Sequence, residues 1–170
     1  MSLAGPWHPS ARRRYQNGPM AAPGRYTAVL TAGDTRLTQD FELLMDPRVE
    51  AAGVTEADVE AQLAFQLKVR DEVSATYRRQ DAIESEISEL KEQKTLSQAA
   101  ASRLGTLEEA LARIETEDGI YMQPMLAAQW RYLYSMMDQA DQRPGQDALE
   151  RYKELSETLE AVKSSVKPAP

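Results

Sequence analysis

Residues 55–94 read TEADVEAQLAFQLKVRDEVSATYRRQDAIESEISELKEQK, a run without a single glycine or proline. Ala, Glu, Leu, Gln, Lys and Arg dominate it, and these are the residues that lose least on entering a helix. Thr55-Glu56-Ala57-Asp58 has the form of a capping box, with Thr55 as N-cap and Asp58 in the N3 place where glutamate is commoner. A helix from Thr55 to about Lys94 is about 60 Å long at 1.5 Å per residue. Its apolar positions divide into two stripes: Val59, Leu63, Leu67, Val73 and Tyr77 on one side, and Phe65, Val69, Ile83, Ile87 and Leu90 on the other. The expectation is that the start of this helix meets partners on both sides, with Phe65 and Val69 as a candidate interaction surface.

Three further helices follow. Ala100, Leu104, Leu107, Leu111 and Ile114 recur at steps of four, three, four and three, which predicts a helix over about 97–117. Gly119 and Pro124 break the chain. Residues 123–140, QPMLAAQWRYLYSMMDQA, place Leu126, Trp130, Leu133, Met137 and Ala140 on a heptad seam, so the Met- and aromatic-rich stretch reads as a buried face. Arg143-Pro144-Gly145 makes a turn, and Ala148, Tyr152, Leu155, Leu159, Val162 and Val166 mark a fourth amphipathic helix. Short breaks between helices of like period favour antiparallel neighbours. The fold class is therefore mainly α: an antiparallel bundle of about four helices, the first one long.

Ahead of the bundle the period changes from 3.6 to 2. Tyr26, Ala28 and Leu30 alternate on one face, the chain turns at Ala32-Gly33-Asp34, and Leu37, Phe41 and Leu43 return. Two strands alone are marginal in water, so this β-hairpin needs the leader, the helices or further sheet beneath it. Residues 1–24, with four prolines and three glycines, read as coil. The chain divides into a proline-rich leader and hairpin over 1–46 and a helical bundle over 47–170.

A formal charge of −7 argues against a nucleic-acid partner, which calls for a basic face. The one basic cluster, Arg12-Arg13-Arg14, reads as a solvated run in the leader. No apolar stretch approaches the roughly 18–20 residues of a membrane-spanning helix, so no membrane insertion is expected and the chain reads as soluble. Absent cysteine removes thiol catalysis, thiolate metal sites and disulfides.

The inventory for catalysis is thin. His8 is the only histidine and lies in the leader between Trp7 and Pro9, so no metal site of the common types and no cofactor is expected. Glu84, Glu86, Glu89 and Glu92, and Glu115, Glu117 and Asp118, could supply paired acids, yet Lys91, Lys94 and Arg113 interleave with them as on a solvated face. Ser88-Glu89-Leu90-Lys91 fits an S-x-x-K pattern without its companion motifs. No catalytic residue is assigned. Trp7, Tyr15, Trp130, Tyr132 and Tyr134 are the candidates for an aromatic platform; Trp130 belongs to the seam with its indole N–H seeking a partner at the edge, while Tyr132 and Tyr134 flank it and are expected to be partly exposed.

GPMAAPGRYTAVLTAGDTRLTQDFELLMDPRV, with TEADVEAQLAFQLKVRDEVS and LYSMMDQADQRPGQDALERYKELSETLEAV, resembles the C-terminal region of large bacterial BNR-repeat, sortilin-like β-propeller proteins, often labelled glycosyl-hydrolase-like. The resemblance runs from about Gly18 to Val166 and rests most on the P-G-x-Y-T and D-P-R pieces. It implies that the hairpin is the remnant of an Ig-like β-region that follows the propeller. It also implies an extracytoplasmic location, with any signal peptide upstream and Met1-Ser2-Leu3 an expression remnant. No Asp-box of the S-x-D-x-G-x-T-W kind is present, so no catalytic residue carries over.

The expected function is a non-catalytic accessory module serving interdomain packing in the parent polypeptide or self-association. A dimer through the hairpin edge or the Phe65–Val69 stripe is the expected form of the latter. The alternative is a carbohydrate-binding module, supporting a glycoside hydrolase, that uses Tyr132 and Tyr134. Coplanar exposed rings would favour sugar; buried rings beside an exposed aliphatic stripe would favour assembly.

Overall fold

The structure, a computed structural model, describes residues 18–167. Strands β1 (Gly24–Ala32) and β2 (Thr35–Leu43) are followed by helices α1 (Pro47–Ala51), α2 (Glu56–Lys91), α3 (Gln98–Ile114), α4 (Leu126–Met137) and α5 (Gln146–Ser165). The expected class, a mainly helical chain with a long helix behind a hairpin, is what the structure has. Trp7, His8, Arg12–Arg14 and Tyr15 lie outside the described residues.

Helix α1 is the element that the sequence reading passed over. Asp46 accepts a hydrogen bond from the Arg48 backbone N–H at 2.8 Å, and Pro47 stands at the first helical position, where a missing N–H costs nothing. The Arg48 guanidinium and that same backbone N–H hold the Asp46 carboxyl at about 2. One turn later Gly53, at φ 88°, reverses the chain into α2.

Thr55 caps α2 as its sequence predicts. Its hydroxyl accepts from the Asp58 N–H at 3.2 Å, while Asp58 Oδ2 accepts from the Thr55 N–H at 3.1 Å. The reciprocal bonds satisfy two orphan donors of the first turn. Hydrogen bonding from Thr55 also keeps the Asp58 carboxyl below its ordinary range. The helix has 36 residues, ends at Lys91 rather than Lys94, and is about 54 Å long.

The two-stripe reading of α2 needs correction. Phe65, Val69, Val73, Tyr77, Ile83 and Ile87 are all buried in one core with α3, α4 and α5. A four-residue step advances only about 40° around a helix, so Val73 and Tyr77 belong to the arc of Phe65 and Val69. Val59, Leu63 and Leu67 are half-buried beside it. Phe65 is 7% exposed and Val69 fully enclosed. Neither is available as an interaction surface.

The seam of α4 is buried as expected through Leu126, Trp130, Leu133 and Met137, whereas Ala140 lies past the helix end and is exposed. Trp130 sits edge-on to Tyr152 of α5 at 5.4 Å between ring centroids, and Tyr152 tilts against Phe65 of α2 at the same separation. Three aromatic rings thus join three helices. The indole Nε1 finds no acceptor among the described residues, against the expectation of a partner at the edge. Burial, and then the Glu72 carboxylate, push the Tyr152 phenol upward. Helix α3 is tied to α2 by Arg103, whose guanidinium donates to both Glu86 oxygens at 2.6 and 2.9 Å, and by Lys91–Glu108 at 2.7 Å.

The hairpin stands apart. Its strands pair antiparallel with Leu30 opposite Leu37 and Tyr26 opposite Phe41, the register that the alternation predicts, around a two-residue turn at Gly33-Asp34. Gly33 has φ 59° and Asp34 has no positive φ, the pattern of a II′ turn, whose twist matches that of the strands it joins. Neither strand lies backbone-close to a helix, and only the base of the hairpin, at Leu43 and Leu44, shares a cavity wall with Val59, Leu63 and Gln66 of α2. The helices leave the Leu30–Leu37 end uncovered.

Candidate functional site

Two features of the surface are unlike the rest. The first is one face of the hairpin. Because side chains alternate, the pairs Gly24–Leu43, Tyr26–Phe41, Ala28–Gln39, Leu30–Leu37 and Ala32–Thr35 share a face, and Arg25–Glu42, Thr27–Asp40, Val29–Thr38 and Thr31–Arg36 share the other. The second face is satisfied in water: Thr27 donates to Asp40 at 2.6 Å, and opposite charges stand across from each other at Arg25 and Glu42. The first is apolar and open. Leu30 and Leu37 are 63% and 61% exposed and Phe41 about half exposed, while Leu43 at the base is less so. The Tyr26 ring stacks on Phe41 at 5.8 Å, and its hydroxyl donates to the Ala22 carbonyl at 2.6 Å, which fixes the base of the hairpin.

Neither strand carries a proline or a bulge, and no charge points into the apolar face. Such devices are how free sheet edges are normally protected. Leu30, Leu37 and Phe41 thus form a regular apolar face open to solvent.

The second feature is a cleft of about 780 Å³ between α4 and the start of α5. Leu133, Met136, Met137 and Ala148 give it an apolar lining, with Tyr132 on the rim. One end is shaped by Gln62 of α2, a buried side chain whose amide donates to the carbonyls of Met137 and Ala140 and whose oxygen accepts from the Gln142 N–H. Across the other end, Arg151 of α5 donates to Gln129 Oε1 at 2.7 Å, and Gln129 in turn donates to the Pro124 carbonyl. Arg143 is held more loosely, 3.9 Å from Asp58 and largely exposed.

Of the four residues expected on an interaction surface, Tyr132 alone is exposed. Tyr134 is 3% exposed and packs inward, two positions round the helix from Tyr132 and on the seam side. Of the acidic residues, Glu86 is engaged by Arg103 and Lys91 of the S-x-x-K stretch by Glu108, while Glu115, Glu117 and Asp118 line one shallow pocket together with Glu108. Among the described residues no helix is long and apolar enough to cross a membrane. The cleft itself escaped the sequence reading, since it depends on a buried glutamine that reaches across 75 and 80 residues of chain.

No known protein family, curated protein or solved structure matches the chain.

Proposed function

We propose that the chain is a non-catalytic accessory module of a larger BNR-repeat, propeller-type protein, docking through the apolar face of its hairpin onto β-structure in the rest of that polypeptide. The observation that carries the reading is the uncovered Leu30–Leu37–Phe41 face. Its size favours a covalently linked partner over a second copy. Two nine-residue strands make a ribbon about 30 Å by 10 Å, well short of the roughly 800 Å² per partner that a specific interface between free molecules buries. Linkage raises the local concentration of the opposing surface and makes a small patch sufficient. The hairpin residues that resemble the last strands of an Ig-like region in such proteins point to the same kind of partner, a β-layer.

Buried Tyr134 beside exposed aliphatic side chains weighs against the carbohydrate-binding alternative, which needed two open rings. The test is association in trans between this chain and the remainder of its parent. Binding that is abolished when Leu30 and Leu37 are both changed to lysine is expected. Binding unaffected by that pair of substitutions would overturn the reading.

A further inference from the structure

The loop between α3 and α4 presents Ile120, Tyr121 and Met122 to solvent, with Ile120 84% and Tyr121 fully exposed. Tyr121 has φ 62°, a left-handed conformation that an aromatic residue rarely adopts and that turns its ring outward. Gly119 precedes the triplet, and the Met122 side chain folds back over it. The apolar triplet follows Glu115, Glu117 and Asp118, all exposed. It is an exposed apolar knob on an acidic base.

The cleft described above has the opposite character. Its lining is apolar and rich in methionine, which adapts to the shape of what enters. Arg143 stands at its rim, largely exposed and 3.9 Å from Asp58, whereas the Arg151 guanidinium is held by Glu154 at 2.7 Å and by Gln129. Asp147 also lines the cleft. Knob and cleft match in apolar character, and Arg143 offers one loosely held charge opposite in sign to the base of the knob.

They are also neighbours. Gln123 and Pro124, directly after Met122, form part of the cleft wall. A two-fold axis beside these residues sets the knob of each molecule over the cleft of the other, so the contact closes on itself instead of propagating. We infer that two copies of this chain associate by reciprocal insertion of Ile120–Met122 into the cleft between α4 and α5. Tyr121 alone offers on the order of 200 Å², and a two-fold contact buries two such rings together with the cleft walls that receive them. A micromolar dimer is the expected strength. The proposal is independent of the hairpin, which uses other elements and another partner.

Sedimentation velocity on the full chain across the micromolar range tests it. The expected result is a mass rising to twice that of the chain. Tyr121→Gly removes the ring and accepts the positive φ, so it should weaken the dimer at least about tenfold while leaving the melting temperature unchanged or higher. Arg143→Glu and Asp118→Lys should each weaken it, and the two together should restore it. A monomer throughout the range would overturn the proposal. So would a dimer insensitive to Tyr121→Gly and Arg143→Glu, or one abolished by Leu30→Lys, which would assign association to the hairpin.

Discussion

Leu30 and Leu37 stand opposite each other in the hairpin register, on the same face, and both are open to solvent. Cross-strand apolar pairs normally stabilise a sheet by resting on a second layer. Here the second layer is missing among the described residues, and the bundle keeps its own core without it.

That separation predicts a stability result. Leu37→Lys should change the thermal unfolding of the helical bundle by no more than about 0.5 kcal/mol, the range for surface substitutions. A loss above about 1 kcal/mol, read from the bundle's helical circular dichroism, would mean that the helices lean on the hairpin.

Phe65 should behave in the opposite way. Its ring packs against Tyr152 inside the core. Phe65→Ala is expected to cost about 3–5 kcal/mol. Phe65→Glu, which leaves a carboxylate without a partner in that core, should unfold the bundle instead of merely dissociating a dimer. A folded, monomeric Phe65→Glu protein in equilibrium denaturation would place this side chain on the surface.

The capping box gives a smaller and sharper expectation. Thr55→Ala removes the acceptor for the Asp58 N–H and should cost about 1 kcal/mol with the fold intact. Thr55→Ser, which keeps the hydroxyl, should recover most of it. Equal losses from both substitutions in urea unfolding would argue against the cap.

Acid should weaken the protein through carboxylates that the fold holds ionised. Hydrogen bonding from Arg103 lowers Glu86, and Arg48 lowers Asp46. A carboxylate whose pKa falls on folding stabilises fully above its unfolded value, about 4.3 for glutamate, and loses that contribution as pH drops through the folded value. Melting temperature should therefore be level from neutral pH to about 5 and fall below that. Glu86→Gln should flatten part of the acid limb; an identical limb in the variant would remove Glu86 from the account.

Much of this fold is legible in the sequence because its signals are local. The period of two around Gly33-Asp34 gives the hairpin and its register, and Thr55 with Asp58 gives the start of the long helix, since each rests on residues within a few positions of one another. The Asp46-Pro47 signal for α1 is equally local, a capping carboxylate followed by a proline at the first helical position. What the sequence hides depends on distance. Phe65 and Val69 form a surface or a core according to whether Tyr152 and Trp130 arrive against them, and no spacing within α2 decides that. The cleft hangs on Gln62 reaching Met137 and Gln142, a contact that no motif announces. Tyr132 and Tyr134 differ by two positions, and half a turn of helix sends one to solvent and the other inward.

Amide hydrogen exchange tests the proposed docking most directly, by comparing the isolated chain with the same chain joined to the parent protein proposed for it. In the isolated chain the amides of Leu30 and Leu37 should exchange rapidly, as expected for a lone two-stranded ribbon, while those of Val69 and Leu159 in the core exchange only on global unfolding. Joined to the larger protein, the hairpin amides should gain protection approaching that of the bundle. Protection of Leu30 and Leu37 at the bundle's level in the isolated chain, or none gained in the joined one, would contradict the account.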